Sequence, residues 1–370
     1  MKELVKGRIK LLQAALKDSQ LDAALIYDRE NLIYFAGVDD LEGSVLCIPA
    51  EGEAELFCLA WDAKHMKETC GIDQVTPYPF PKENQSLKAA QWLKSLKREA
   101  PKVGFTRYFI SLKDYQCLRE AVPDMIVGDI ATICYQLRSV KSAEEIRLIR
   151  QASQILNAGM EAAVRFIRPG MKETEVLAEA EYAMRKAGSQ GAPFRMQVLT
   201  HQRQMLMHPY AGSYEIGNHE PVVIHLGSSV NGYVAKMCRT VFIGEVQEET
   251  KKIYNSLIAA QKIAVDMIRP GLLCGELYDA VYQFINELGY GTMWMDHIGY
   301  GVGIRQSEFY PIIAKESKVS LKENMVIDLL LPTIYKADVG GPRITDTILV
   351  TAGGGEYLTD YSRREIAKLF

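Results

Sequence analysis

A helix-forming segment occurs twice in this chain, 101 residues apart and without a gap. Residues 156–188 (LNAGMEAAVRFIRPGMKETEVLAEAEYAMRKAG) align with residues 257–289 (LIAAQKIAVDMIRPGLLCGELYDAVYQFINELG), and both copies contain Ile-Arg-Pro-Gly. Each copy has two apolar patterns of helical period, separated by a Pro-Gly pair that a helix interior does not tolerate. The repeat therefore predicts two α+β halves related by a pseudo-two-fold axis, with a cleft between them where a pocket is expected.

The residues before this repeat have a different pattern. Short apolar runs such as LDAALIYD (21–28) alternate with amphipathic segments such as SLKAAQWLKSLKREA (86–100), which is typical of an α/β layer domain. Ser142 and Glu145 then form a capping-box pattern that predicts the start of a long helix. We therefore predict an α/β domain over residues 1–135 and an α+β domain over residues 136–370.

Composition excludes several functional classes. The net charge of -3 gives no basic field for nucleic acid, and no apolar run reaches the roughly 18 residues of a membrane span. The seven cysteines are odd in number and form no CxxC pair, which favours reduced thiols in a cytoplasmic protein. The six histidines form no HExxH pair that would indicate a histidine-rich metal site.

The segment PVVIHLGSSVNGYVAKMCRT (221–240) carries polar residues inside an apolar hairpin pattern. Asn231-Gly232 is the strongest short signal for a two-residue hairpin turn. With that turn, His225 lies opposite Cys238, and the period of two places Lys236 on the same face. A histidine, a lysine and a thiol are therefore predicted to converge; a turn one residue longer would separate them.

Several motifs resemble the creatinase/aminopeptidase P/prolidase family. They are RENLIYFAG, RSVKSAEEIRLIRQA, the repeated IRPG, VVIHLGSSVNGYVAKMCRTVFIG, GYGVG and GGPRITDTILVT, which cover nearly the whole chain in the family's order. The resemblance implies a C-terminal "pita-bread" domain, a smaller α/β N-terminal domain and a homodimer.

The metallopeptidases of this family bind two metal ions through two Asp, one His and two Glu. The resemblance places these ligands at His225, Lys236, Tyr300, Leu331 or Leu330, and Thr345. None of these residues is the ligand that the family has at that position, so we predict a protein with no metal and no cofactor.

A lysine ammonium repels a metal cation and cannot ligate it while protonated. Lys236 is instead expected to fill the space of a metal and to form an internal ion pair with Asp346, the acid retained in RITD.

His208, in LMHPYAG, is the candidate general acid/base. In creatinase, which uses no metal, the matching histidine has this role, and His208 precedes His225 by the same 17 residues. Histidine suits proton transfer because its usual pKa lies near neutrality. The alternative is a loop histidine bonded to the backbone.

Two further residues are assigned to catalysis. Tyr300 is a candidate proton donor or a space-filling residue, and Arg343 is a candidate clamp for a substrate carboxylate. Arg343 could equally pair with Asp346 or Asp328.

The substrate-binding assignments are His225, Lys236, Cys238, Asp346 and His297. His225 could instead be a neutral core histidine. Cys238 could be a nucleophile activated by neighbouring cations, or inert packing. The positions at which creatinase holds a cationic substrate with acids fall here on uncharged residues. The pocket therefore favours a substrate with a carboxylate.

Three functions follow from these expectations. The first is a metal-independent, creatinase-like hydrolase that cleaves a C–N bond in a small nitrogen-containing, carboxylate-bearing substrate, with His208 as general acid/base. The second is a pseudo-peptidase that binds a ligand or protein partner without turnover. The third is an Xaa-Pro dipeptidase or aminopeptidase, if the ligand positions are aligned wrongly. In each case the expected partners are a small molecule and a second copy of the chain, without nucleic acid or membrane.

Overall fold

The computed structural model describes residues 2–39, 41–106, 110–207, 209–329, 334–359, 361 and 367–369. The chain divides into two compact units, Met1–Arg138 and Ser139–Phe370. All seven cysteines lie in the described part and none is joined in a disulfide. In that part of the chain, no helix has the length and apolar character needed to cross a membrane.

The first unit is a six-stranded mixed sheet with helices. Its strands are β1 Ala23–Ile26, β2 Val45–Pro49, β3 Glu55–Leu59, β4 Gln74–Tyr78, β5 Lys102–Phe105 and β6 Ile126–Asp129. Its helices are α1 Lys2–Asp18, α2 Arg29–Ala36, α3 Ala63–Thr69, α4 Gln85–Ser95, α5 Leu112–Ala121 and α6 Ala131–Ser139. The spatial order is β4-β3-β2-β1-β5-β6, and a core that includes Leu25, Phe57 and Trp92 lies against the sheet. This is the predicted α/β layer.

The helices of the second unit follow the internal repeat. They are α7 Ala143–Phe166, α8 Glu173–Lys186, α9 Glu248–Met267 and α10 Cys274–Glu287. α7 and α9 end 101 residues apart, and α8 and α10 begin and end 101 residues apart. Gly170 and Gly271, the glycines of the two Pro-Gly breaks, have φ of 82° and 94°, a conformation that favours glycine. The predicted helix–break–helix repeat is confirmed, as is the Ser142–Glu145 capping box.

The strands of the second unit form two sheets. They are β7 Gln197–Leu199, β8 Glu220–Val230, β9 Tyr233–Ile243, β10 His297–Gly301, β11 Glu308–Ala314, β12 Val326–Leu329, β13 Asp346–Thr351, β14 Gly354–Tyr357 and β15 Ala367–Leu369. One sheet has the order β15-β9-β8-β7 and the other β11-β10-β12-β13-β14. The backbones of Cys238 and Thr345 exchange hydrogen bonds of 3.0 and 3.1 Å, which join β9 to the residue before β13.

The β8–β9 hairpin has the predicted register. Asn231 and Gly232 both have positive φ, 48° and 80°, as a turn matched to the strand twist requires. His225 consequently lies opposite Cys238, and Gly227 lies opposite Lys236. The predicted pairing is confirmed.

Candidate functional site

The second unit contains a cavity of about 340 Å³. Its described lining residues are Phe194, Arg195, Gln197, Met207, His225, Lys236, Met295, His297, Tyr300, Gln306, Ser307, Phe309, Tyr335 and Arg343. Five of the residues assigned from sequence thus meet in one place: His225, Lys236, His297, Tyr300 and Arg343. They come from the β8–β9 hairpin, from β10 and from the segment before β13. The lining includes three side chains of the Lys/Arg type, Arg195, Lys236 and Arg343, and no described aspartate or glutamate.

Lys236 is buried beside a carboxylate. Its Nζ contacts Oδ2 of Asp328 and lies 3.3 Å from Oγ of Ser307. The side chains of Lys236 and Asp328 are only 2% and 0% exposed, so each charge depends on the other for neutralisation. Asp328 Oδ1 also accepts a hydrogen bond from the backbone N–H of Tyr300.

The predicted ion pair between Lys236 and Asp346 is wrong. Asp346 accepts a hydrogen bond of 2.7 Å from Arg239 and one of 2.8 Å from the Thr359 hydroxyl. The physical reason is strand parity. Asp328 lies opposite Thr347 in the β12–β13 register, so Asp328 and Asp346 face opposite sides of their sheet. Asp346 is also outside the described lining of the cavity, and its assignment to substrate binding stays a prediction.

Arg343 is a buried cation without an anionic partner in the described structure. It is 3% exposed. Its Nη1 donates to Gln197 Oε1 at 3.3 Å, and its Nη2 donates to the carbonyls of Gln204 and Leu206 at 2.8 and 3.0 Å. Its Nε has no hydrogen-bond partner among the described residues. Neither of the predicted alternatives, a pair with Asp346 or with Asp328, is formed.

His297 and Tyr300 lie together at the cavity, with ring centroids 5.1 Å apart. Burial lowers the pKa of His297, although Asp328 and Asp296 oppose that shift. Burial also raises the pKa of Tyr300, with a further contribution from Asp328. At neutral pH the cavity therefore presents a neutral imidazole, able to accept a proton, and a protonated phenol, able to donate one.

His225 is 7% exposed, and its ring packs against Phe194 with centroids 4.9 Å apart. Gly227 makes this packing possible, because a Cβ there would lie only 2.2 Å from Phe194 Cε1. The hairpin thus places the imidazole at the cavity edge against an aromatic wall.

Cys238 does not line the cavity. The thiol is fully buried with Leu199 and Val223. Burial raises its pKa to about 12, against smaller opposing effects of Arg343 and Arg239. A thiol with that pKa supplies almost no thiolate at neutral pH, which favours the packing alternative over the nucleophile alternative. The assignment of Cys238 to substrate binding stays a prediction.

Hydrogen bonds to Glu173, a residue that was not predicted from the sequence, hold the segment between β7 and β8. Glu173, at the start of α8 and 0% exposed, accepts hydrogen bonds from Thr200 N at 2.8 Å, Thr200 Oγ1 at 2.9 Å and Gly212 N at 2.9 Å. It also pairs with Arg203. Met207, between these anchors, lines the cavity. His208 lies outside the described residues.

Arg195, Gln306 and Ser307 also line the cavity, although they were not predicted from the sequence. Arg195 lies over the Tyr210 ring at 4.2 Å. None of the three stands in a motif with a spacing rule.

The metal positions implied by the resemblance can be tested against the donors. His225, Lys236, Tyr300 and Thr345 are described, whereas Leu330 and Leu331 lie outside the described residues. The described side chains contain no group of three or more His, Cys, Asp or Glu able to hold a metal ion. Among the described residues, the carboxylate that contacts Lys236 is that of Asp328, and the ammonium already occupies it. This donor set does not fit a two-metal centre.

Comparison with known proteins adds two domain matches. The model "Creatinase/Prolidase N-terminal domain" matches residues 8–140, and "Metallopeptidase family M24" matches residues 147–352. An Xaa-Pro dipeptidase from Pyrococcus horikoshii is 30% identical over 368 residues, covering 98% of this chain and 100% of that protein.

Solved structures of prolidases and Xaa-Pro dipeptidases are similar to this chain over nearly its whole length. A prolidase from Pyrococcus horikoshii has a TM-score of 0.87 at 29% identity, with 96% of this chain and 99% of that chain covered. An Xaa-Pro dipeptidase from Bacillus anthracis has a TM-score of 0.89 at 27% identity, with 99% and 100% covered. The predicted fold class, an N-terminal α/β domain followed by a pita-bread domain, is confirmed.

Proposed function

The chain belongs to metallopeptidase family M24, and from that premise we propose that it is a hydrolase that cleaves an amide C–N bond in a small, carboxylate-bearing molecule without a two-metal centre. The relatives named as Xaa-Pro dipeptidases support amide hydrolysis of a dipeptide-sized substrate more than a creatinase-like reaction. The proposed enzyme therefore cleaves the same type of bond as these relatives but does so without a two-metal centre.

The buried Arg343 guanidinium carries this proposal. A buried charge without a counter-ion is strongly unfavourable, and Arg343 has only neutral oxygen acceptors in the described structure. A ligand carboxylate in the cavity would provide the missing charge, and a guanidinium can bind it through two hydrogen bonds. Lys236, already neutralised by Asp328, does not compete for that carboxylate.

The proposed reaction is the addition of water across the amide. A bond forms between the water oxygen and the carbonyl carbon, the C–N bond breaks, and the proton lost by water goes to the leaving nitrogen. His208 is the proposed proton carrier, on the family resemblance. Tyr300 would donate a hydrogen bond to the developing oxyanion, since its raised pKa keeps the phenol protonated. Arg343 would hold the substrate in place.

A second candidate is a metal-dependent Xaa-Pro dipeptidase, and the named relatives favour it. The donor set counts against it, because Lys236 and Tyr300 stand where the resemblance implies two of the ligands. The two candidates differ in whether added metal is required.

The test uses purified full-length protein treated with a chelator. It is incubated with a panel of dipeptides and N-acyl amino acids and with a small-molecule cell extract, and consumption is followed by mass spectrometry. We expect one class of carboxylate-bearing amides to be consumed without metal, and the same class to be spared by His208→Ala. The matched control is His65→Ala, which removes an exposed histidine of the first unit.

Each other outcome has a defined meaning. Turnover of Xaa-Pro dipeptides only after addition of Mn²⁺ or Co²⁺ would establish the second candidate. Carboxylate-dependent binding without any turnover, with or without metal, would establish the pseudo-peptidase alternative. Turnover unchanged in His208→Ala would remove that residue from the mechanism.

A further inference from the structure

The charges around the cavity are unsuited to the ammonium group of a free dipeptide. A free dipeptide has a carboxylate at one end and an ammonium at the other, and a buried ammonium needs a carboxylate or several strong acceptors. The described lining of the cavity contains Arg195, Lys236 and Arg343 but no aspartate or glutamate. Asp328, the carboxylate that Lys236 contacts, is already engaged with that ammonium and with the Tyr300 backbone.

The acceptors that remain are neutral. Gln306 lines the cavity, and its Oε1 atom is buried without a hydrogen-bond partner among the described residues. An amide oxygen can accept from the N–H of a ligand amide, but it does not neutralise an ammonium. The polar groups thus offer a cation for a carboxylate and a neutral acceptor for an amide N–H.

We propose that the ligand of this cavity is an N-acyl amino acid, with a free carboxylate and an acylated nitrogen, rather than a dipeptide with a free amine. This inference rests on the proposed function, which supplies the carboxylate and the amide bond. It adds that the end opposite the carboxylate is an uncharged acyl group. The apolar side chains of Phe194, Met295 and Phe309, which belong to the cavity lining, would contact the acyl group. Its hydrolysis would give a carboxylic acid and the free amino acid.

The test uses pairs of ligands that differ in one group. N-propionyl-L-alanine and glycyl-L-alanine have the same shape, except that a methyl group replaces the ammonium; N-propionyl-L-proline and glycyl-L-proline form a second pair. Binding to chelator-treated protein is measured by calorimetry. We expect the propionyl member of each pair to bind at least about tenfold more tightly. N-propionyl-L-alaninamide, which lacks the carboxylate, is expected not to bind.

A variant should reverse the preference. Gln306→Glu keeps the shape of the side chain and adds a carboxylate to the cavity, so glycyl-L-alanine should gain affinity while N-propionyl-L-alanine loses it. Gln306→Met, which adds no charge, should weaken the N-propionyl ligand without favouring the dipeptide.

The outcomes separate this inference from the proposed function. Equal or tighter binding of the glycyl members, with N-propionyl-L-alaninamide still excluded, would overturn the acylated ligand and leave the carboxylate site intact. Failure of all four acids to bind would overturn both. Tighter binding of the propionyl members, reversed in Gln306→Glu, is the result that supports the inference.

Discussion

Strand β9 carries two buried ion pairs only three residues apart, and they differ in what surrounds them. Arg239 pairs with Asp346 at 2.7 Å, and Lys236 pairs with Asp328. Arg239 also donates to the carbonyls of Cys238 and Thr345 at 2.8 and 3.0 Å, inside packed structure. Lys236 instead lines the cavity.

The difference follows from parity along the strand. Positions 236 and 239 face opposite sides of the sheet, so one cation is directed to the interior and the other to the cavity. Both pairs join the two sheets, but only the pair of Lys236 also contributes to the charge that a ligand in the cavity meets. Variants of the two ion pairs should therefore differ in their effects on stability and on ligand binding.

The largest effect is expected for Arg239→Met. It leaves Asp346 buried without its cation, which should destabilise the protein by about 3–5 kcal/mol. Chemical denaturation followed by circular dichroism measures this. Arg150→Met, which breaks the half-exposed pair with Glu356, is the control and should lose less than about 1 kcal/mol. Equal losses in the two variants would contradict a structural role for burial of the Arg239 pair.

Lys236→Met should destabilise the protein less, by about 2 kcal/mol. Asp328 keeps its hydrogen bond from the Tyr300 backbone, and the space left by the ammonium opens to the cavity, where water can solvate the carboxylate. The double variant Lys236→Met/Asp328→Leu should recover most of the lost stability, since both charges are then absent. If the double variant were less stable than the single one, the pair would be structural after all.

Glu173→Gln is expected to lose about 1 kcal/mol, because Arg203 is partly exposed and can be hydrated when its anion is removed. The functional effect should be larger than the effect on stability. Weaker anchoring of Thr200 and Gly212 should displace Met207 from the cavity, which should raise KM more than it lowers kcat. Glu175→Gln, two residues further along α8 and exposed, is the matched control and should leave KM unchanged.

The smallest effect concerns pH. Because burial holds the pKa of His297 below its usual 6.5, the imidazole is neutral at pH 7 and becomes charged as the pH falls through that lowered pKa. The added positive charge should increase the affinity for an anionic ligand by about threefold between pH 7 and pH 5. His297→Gln should remove this rise, measured by the same calorimetric titration. A rise that persists in the variant would assign the titration to another group.

Protonation of His297 should lower the stability of the folded protein, whereas it should raise the affinity for an anionic ligand. A histidine whose pKa is lower in the folded state than in the unfolded chain disfavours the folded state when protonated. Stability from this group is therefore present above the unfolded pKa of about 6.5 and declines as the pH falls below it. Comparing denaturation of the parent protein and His297→Gln at pH 7 and pH 5 measures this separately from ligand binding.

Much of the fold could be predicted from local signals. The repeated IRPG predicted the ends of α7 and α9, and Asn231-Gly232 predicted the register that places His225 opposite Cys238. Such features depend on residues close in sequence, where proline, glycine and strand period act directly. The convergence of His225, Lys236, Tyr300 and Arg343 also followed, because the family resemblance fixed their place in the fold.

The ion-pair partners could not be predicted in the same way. Whether Lys236 contacts Asp328 or Asp346 depends on the register between β12 and β13, which no motif in the sequence specifies. The burial of Cys238, and hence its raised pKa, depends on Leu199 and Val223 from two other strands. Glu173 gives no sign in the sequence that it fastens a segment beginning 27 residues later.

The Asn231-Gly232 turn is also a site of spontaneous deamidation. An asparagine followed by glycine is prone to lose its amide nitrogen, because the next backbone nitrogen can attack a side chain that no neighbouring Cβ shields. Asn231 is exposed at the end of the hairpin. Its conversion to isoaspartate would add a methylene group to the main chain between β8 and β9 and one negative charge. The residue pair that aligns His225 with Cys238 is therefore also a site at which the covalent structure of the hairpin can change with age.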